Sequence, residues 1–398
     1  MTLAAASDEA ALGAQISWTG RSALLLAAFC PVLAMYGFGV ALPPIAAAFA
    51  DRPHALLLSQ LIGGVVALAF AVGSAPVGRL IDRFGYRSVL LVSITAFSFA
   101  GAAGGLMSNL YAILVTRVLL GFTVAGVLVS AFAGIGDLSA RDRVRMYGFQ
   151  GFVGGVLAIC TFPAVGWAAS LGWRWPFAIH LCALLIVPLI LGVPHSRRTS
   201  FAKAAETEPR RRLGGLAASF LIVAFVTGMA GVIGSLFSPF LLIAIGVTDP
   251  KEQSVPLLTM AIAALVASGS FGWVRPVLGR NGTFAAAIAT LGLGLLVAAM
   301  ADSLPGITVG LSLSAIGMSA YTPNVNATAV AMGGSNPGRA LGLANGVLYG
   351  AQGLFPFVAS GISTLSGPKA VFASFGCCSL GIGIAYGVVA IVHRGKIA

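Results

Sequence analysis

The chain is dominated by apolar runs long enough to cross a lipid bilayer. Twelve can be drawn, at roughly 22–47, 55–78, 88–107, 110–134, 146–169, 174–194, 214–246, 255–276, 283–301, 305–331, 340–364 and 369–392. A spanning helix takes ~20 apolar residues. The runs are continuous rather than alternating, which is not the pattern of a membrane β-barrel. Of 398 residues, 58% are hydrophobic and 9% charged, with a mean hydropathy of +0.98. Soluble domains carry roughly a quarter charged residues, so this chain lacks the side chains to clothe itself in water. A cytosolic enzyme, a nucleic-acid-binding domain and a disordered chain are excluded on that ground. The 52 glycines suit close helix packing in lipid. The expected fold class is an all-α polytopic membrane protein of twelve transmembrane helices.

Its organisation follows from where the polar residues fall. The longest polar stretch, 195–213, holds Arg197, Arg198, Lys203, Glu206, Glu208, Arg210, Arg211 and Arg212. It reads as a linker between two six-helix bundles, 22–194 and 214–392, flanked by tails at 1–21 and 393–398. Eighteen of the 23 Lys and Arg residues lie on the linker side of the spans, four on the other, and Arg117 lies within one. By the positive-inside rule, both tails and the linker are cytoplasmic. The net charge of +12 is then a topology signal in a multi-pass cell membrane protein of the bacterial inner-membrane kind, and nucleic acid is not an expected partner. Asp8 and Glu9 precede the first apolar run and no basic n-region does, so no cleaved signal peptide is expected. The halves also echo one another. Pro43 and Pro239, Gly85 and Gly282, Arg145-x-x-Gly148 and Arg339-x-x-Gly342, and Pro163 and Pro356 recur at nearly one offset. Such matches point to a parallel internal repeat, with the substrate site between the halves near the midplane. Cys30, Cys160, Cys182, Cys377 and Cys378 fall inside apolar runs, form no CxxC, and read as small buried hydrophobes. Neither a disulfide framework nor a zinc site is indicated.

The most specific motif is Gly78-Arg79-Leu80-Ile81-Asp82-Arg83-Phe84-Gly85-Tyr86-Arg87. It resembles the signature loop of the major facilitator superfamily: Gly, any, Leu, any, Asp, basic, any, Gly, basic, basic. Gly78 would let a neighbouring helix approach closely. Asp82 would accept bonds from an opposing helix N-terminus. Gly85 would allow the tight turn. Tyr86 stands where the family usually has a basic residue, so Arg83 or Arg87 would have to join the loop to Asp137, the acid ending the fourth span. Thr116-Arg117-Val118-Leu119-Leu120-Gly121 resembles the second family motif. Gly148, Gly151, Gly154, Gly155, Pro163 and Gly166 loosely resemble the antiporter motif, with Phe162-Pro163 in place of its final Gly-Pro. Gly172-Trp173-Arg174-Trp175-Pro176-Phe177 resembles the outer loop before helix six in twelve-span drug and metabolite exporters. In the second half the signature survives as Arg275-Pro276-Val277-Leu278-Gly279-Arg280-Asn281-Gly282, with Gly279 at the acid's position. The resemblance implies the major facilitator fold, with two bundles rocking about a central site.

The polar residues within the spans are the candidate site. A charge at a helix centre costs about 2.5–3.5 kcal/mol on insertion scales, so Arg117 is expected in a wet cavity or bonded to backbone carbonyls. Candidate substrate-binding residues are Arg117, Tyr36, Gln60, Gln150, Tyr321, Asn324, Asn326, Asn345, Tyr349 and Gln352, with α-helix 10 open to a local break at Pro323. Asn345, Tyr349 and Gln352 share one face, and Gly342, Gly346 and Gly350 line a neighbouring face where a helix could pack. The eleven acids all fall in loops or at helix ends on these boundaries. Cationic cargo is therefore disfavoured, and a neutral or anionic small organic solute is expected. The alternative is a multidrug-type exporter with an apolar pocket. His180 is the mid-span group able to titrate near neutral pH, so a coupling proton would involve it, a helix-end acid or the substrate; uniport is the other route. The dispersed histidines His54, His180, His195 and His393 offer no catalytic cluster. No enzyme activity, cofactor or metal is expected; the expected partners are the solute and the bilayer, and the expected state is a monomer.

Overall fold

The computed structural model describes residues 16–194, 218–332 and 337–394; the linker at 195–213 and most of the two tails lie outside them. Among the described residues nine helices are long and apolar enough to cross a membrane. They are α1 (Trp18–Ala48), α2 (Ala55–Phe84), α3 (Tyr86–Leu106, its last turn 3-10), α4 (Leu110–Gly136), α5 (Ala140–Leu171), α7 (Ala218–Leu236), α9 (Phe271–Met300), α10 (Leu304–Met332) and α12 (Pro368–Arg394). Three more complete the twelve-helix pattern: α6 (Trp175–Ile190), α8 (Pro250–Ser268) and α11 (Pro337–Ser366). Polar caps mark where the chain turns. Asn109 accepts from the Tyr111 N–H, Ser139 from that of Asp142, and Asp249 from that of Lys251, which pairs helix N–H groups that no preceding turn can serve.

Two helices depart from α geometry, and proline explains both. In α1, Pro31 supplies no N–H; Val32–Tyr36 then widens into a π turn and Gly37–Ala41 tightens into 3-10. In α6, Pro176 and Pro188 bracket a 3-10 segment, Ile179–Ile186. At ~2.0 Å per residue against ~1.5 Å in an α-helix, that segment lengthens a 16-residue helix by about 4 Å. Helix α10 is continuous through Pro323, so the local break expected there is absent.

The packing repeats. In the first half α4 lies on α2 and α3, and α3 on α6; in the second, α10 lies on α8 and α9, and α9 on α12. The halves meet along α2–α11 and α5–α8, the same pairing seen twice, and where α1 touches α7. We call the end where α1 starts and α12 finishes the base, and the opposite end the top. The upper seams are closed through glycines. A Cβ on Gly64 would lie 2.5 Å from Pro356, one on Gly353 2.7 Å from Leu68, and one on Gly166 2.6 Å from Ser254; one on Gly39 would overlap the Ser235 carbonyl. Towards the base, Gly78 of α2, Gly148 and Gly151 of α5, and Gly342, Gly346 and Gly350 of α11 face open space. The halves therefore touch above and splay below.

The turn that closes the basic loop differs between halves. In the first, Gly85 makes it at φ 81° and ψ 149°. In the second, Gly279 makes it, at φ 69° and ψ 179°, and not Gly282, which is helical. This region is open essentially to glycine alone, so the position equivalent to Asp82 cannot carry an acid without strain. The cysteines differ from expectation as well. Cys30 is buried, but Cys160, Cys182, Cys377 and Cys378 are exposed on the helix surfaces, where lipid rather than the protein core is the apolar neighbour. Gly279→Ala is expected to lower stability by about 1–3 kcal/mol, read as a drop in melting temperature in detergent, whereas Gly381→Ala, in an open helical position of α12, is expected not to.

Candidate functional site

A cavity of about 340 Å³ lies between the halves, within the range of small-molecule sites. Its wall comes from five helices. The first half contributes Val32 and Tyr36 of α1, and Phe162 and the Gly151–Gly155–Ala158 face of α5. The second contributes Ser235 of α7, Met260 and Leu265 of α8, and Met318 and Ser319 of α10, among others. Among the described residues, no charged side chain lines it. The serine hydroxyls are already bound to their own helices: Ser235 to the Val232 carbonyl, Ser268 to Leu265, Ser319 to Ile316. The wall therefore offers a ligand apolar surface, two flexible methionines and little polar demand.

Beside the Thr322 hydroxyl of α10, Tyr36 is the polar exception. It sits at the end of the π turn of α1 and hydrogen-bonds with Gln352 and Tyr349 of α11. Gln352 is 2% exposed and its Oε1 has no partner, so the bond to Tyr36 is donated by Nε2. The Tyr349 ring packs edge-on against Phe70 of α2 at 5.0 Å. Three of the sequence candidates thus converge in one cluster that ties the halves together beside the cavity.

Arg117 goes elsewhere. Its side chain is buried within the first half at 1% exposure. Nη2 donates to the carbonyls of Gly101 at 2.5 Å and Ala100 at 3.3 Å, in the last turn of α3. Its guanidinium lies 4.9 Å from the Phe177 ring centre and 5.4 Å from that of Phe38. Helix C-terminal carbonyls carry partial negative charge, and the two rings add cation–π attraction. These contacts correspond to the carbonyl-bonding alternative rather than to a cavity wall. His180 completes the same nest. Its Nδ1 is 2.9 Å from the Phe177 carbonyl, so Nδ1 carries the proton, and Nε2 faces Arg117 Nη1 at 3.5 Å. A second proton on this ring would face the Arg117 guanidinium. Gly101 admits the His180 ring: a Cβ there would overlap it.

The remaining candidates are distributed. Asn324 is buried in α10 and clamps the basic loop of the second half, accepting from Arg275 Nε at 3.0 Å and donating to the Arg280 carbonyl at 3.1 Å. Asn345 donates to Asn326 across α10 and α11 at 3.2 Å. Tyr321 is hydrogen-bonded with Thr227 of α7, and Gln150 donates to the Leu24 carbonyl at 3.2 Å. Gln60 is buried one helical turn above Gly64, the glycine of α2 that meets Pro356 of α11. In the signature loop, Asp82 is exposed and makes no hydrogen bond or ion pair with the described residues. Arg83 stacks over Phe84 at 5.1 Å, Arg87 is half-buried, and Gly78 has open space beside it. Tyr86 is buried in the core within electrostatic reach of Asp137. The cavity residues that sequence reasoning missed, such as Met260, Met318 and Phe162, are apolar side chains in apolar helices and carry no distinguishing signal.

Comparison with known proteins places this geometry. The family description "Major Facilitator Superfamily" matches residues 24–283. An "MFS-type transporter ppz2" of Metarhizium majus is 29% identical over 266 residues, 64% of this chain and 41% of that protein. An "Efflux pump dotC" of Dothistroma septosporum is 34% identical over 164 residues, 40% of this chain and 27% of that protein. The matched region thus spans less than half the length of these relatives. The fold is similar to that of the xylose transporter XylE from E. coli in a partially occluded, inward-open conformation, with a TM-score of 0.74 at 13% identity over 93% of this chain and 97% of that one.

Removing the guanidinium should cost stability rather than recognition. Arg117→Met leaves the carbonyls of α3 unpaired and is expected to destabilise by about 1.5–3 kcal/mol, the worth of a hydrogen bond to a charged group. The melting temperature should fall while ligand affinity per folded molecule stays within about twofold of wild type.

Proposed function

The chain belongs to the Major Facilitator Superfamily, and from that premise we propose that it moves an uncharged, largely apolar organic solute across the membrane. It is a multi-pass membrane transporter, and transporters of this superfamily act on small-molecule solutes. The observation that carries the finer reading is the cavity between the halves, about 340 Å³ and lined by no charged side chain among the described residues. Neutrality follows from that wall. An ion entering it would leave its hydration for apolar surface, at a cost no wall residue offsets. With Arg117 committed to the carbonyls of α3, an anion has no partner there. Tyr36, tied to Gln352 and Tyr349, supplies the polar contact that would orient a solute bearing one hydroxyl or carbonyl group.

The base is the cytoplasmic side, as the Lys and Arg distribution indicates, in a cell membrane of the bacterial inner-membrane type. The cavity then faces the cytoplasm, and transport proceeds as the halves rock to close below and open above. Asp82 is the latch of the closed base: it meets the N-terminus of α11, whose positive dipole end favours a carboxylate. Its freedom here accords with an open base. Export is the proposed direction, as an efflux pump is among the relatives. Any proton coupling runs through a helix-end acid or the solute, since His180 has both ring nitrogens engaged.

Thermal stabilisation of the purified protein by a panel of small molecules tests the reading, because a binder raises the melting temperature by mass action. Neutral lipophilic compounds should stabilise, and Ala264→Phe, which fills the cavity, should abolish the shift. Stabilisation confined to carboxylates or quaternary amines would contradict it. Asp82→Asn is expected to keep the ligand-induced shift while reducing transport into proteoliposomes at least about tenfold, the loss of ~1.4 kcal/mol from the closed base.

A further inference from the structure

Each buried glutamine with an unpaired amide atom sits beside a seam between the halves. Gln60 of α2 is 3% exposed and, among the described residues, both its Nε2 and Oε1 lack partners, as does Ser59 Oγ beside it. One helical turn below, Gly64 meets Pro356 of α11 and Gly63 meets Leu236 of α7, so the i, i+4 relation turns Gln60 and Ser59 towards the second half. The repeat supplies the counterpart. Gln253 of α8 is 1% exposed; Nε2 donates to the Val247 carbonyl at 2.9 Å, but Oε1 is unpaired. One turn below it, Leu257 packs with Val40 of α1 and Phe162 of α5, so Gln253 faces the first half. Both upper seams, α2–α11 and α5–α8, therefore enclose a glutamine whose hydrogen-bonding capacity is unmet while the top is closed.

We propose that Gln60, with Ser59, and Gln253 act as a built-in opening force on the top of the transporter. A buried polar atom without a partner is destabilising relative to the same atom in water. When the seams part, these atoms reach water and the penalty is relieved. Apolar residues there would let the glycine-closed top rest in one state. The glutamines bring the two states closer in free energy, which a carrier that must visit both requires. They are positioning residues: they touch neither the cavity wall nor the solute, and act through the balance of conformations. The inference rests on the rocking motion of the proposed function but not on the identity of the solute.

Hydrogen–deuterium exchange of the whole, ligand-free protein in nanodiscs tests it, reading peptides from the top (55–68 and 250–260) against peptides from the base (146–155 and 338–350). Gln60→Leu is expected to slow exchange at the top by about tenfold, corresponding to ~1.4 kcal/mol, to raise the melting temperature, and to speed exchange at the base. Gln253→Leu should act in the same sense, and the double variant more strongly. Gln60→Asn, which keeps an amide, should stay near wild type; Gln60→Met serves if the leucine variant folds poorly. Unchanged or faster exchange at the top in Gln60→Leu and Gln60→Met, or a lower melting temperature in both, would overturn the proposal by showing the amide to be paired in the closed seam. If the top of the wild-type protein exchanges only as fast as the whole molecule unfolds, the rocking motion itself fails, and the proposal with it.

Discussion

The glycine contacts at the top of the molecule set the rest of its shape. Lipid gives apolar helices no reason to prefer one another over acyl chains, so helix association depends on close approach. Gly39, Gly64, Gly166 and Gly353 provide it, each against backbone or a short side chain of the other half. Because these contacts lie above the midplane, the halves diverge below them. The cavity occupies the space between, and the base glycines and Asp82 are left facing open space. The proline-driven irregularity of α1 belongs to the same design: it brings Gly39 onto the Ser235 carbonyl and sets Tyr36 at the cavity wall.

The second constraint is that polar groups inside a membrane protein have no water to turn to. Within the halves it is met at the costliest groups, with only single atoms of Ser130, Arg143, Thr328 and Ser379 left without a partner among the described residues. Arg117, His180, the Phe177 carbonyl and the last carbonyls of α3 form one closed nest, which fixes α3, α4 and α6 as a rigid unit. Asn324 does comparable work at the base of the second half by holding the Arg275–Arg280 turn. Between the halves the constraint is met only in part, at Gln60, Gln253 and Gln352. Rigid halves with an imperfectly satisfied boundary are what a rocking carrier requires: the joint can break without either body deforming.

Much of this was legible in the residues. Apolar runs give the helices, the lysine and arginine distribution gives the orientation expected of them, and recurrent proline and glycine positions give the repeat that the packing reproduces. The family loop around Asp82 was visible because its chemistry is tied to fixed spacing. The site was harder to read. Polarity marked Arg117, Asn324 and Tyr321 as candidates, yet in a bilayer interior polarity marks structural joints as readily as binding groups, and in this structure all three are hydrogen-bonded within their own half. Helical spacing placed Tyr349 and Gln352 on one face, and the structure brings both to Tyr36 beside the cavity. The apolar wall had no signature, since Met260 or Phe162 facing a cavity looks in sequence like the same residue facing lipid. The shift of the second turn from Gly282 to Gly279 was hidden for a related reason: both are glycine, and only backbone geometry tells which one bends.

The rocking of two rigid halves about the upper seams is the central claim, and paired spin labels measure it directly. With the five native cysteines replaced, one pair joins Arg52 and Lys251 across the top, and another joins Arg79 and Gly346 across the base. Two distance populations are expected at each end, linked in opposite senses: long at the base with short at the top, as in this structure, and the reverse. Adding a solute that stabilises the protein should change their proportions without creating new distances. A single fixed distance at both ends, or ends that widen and narrow together, would contradict it.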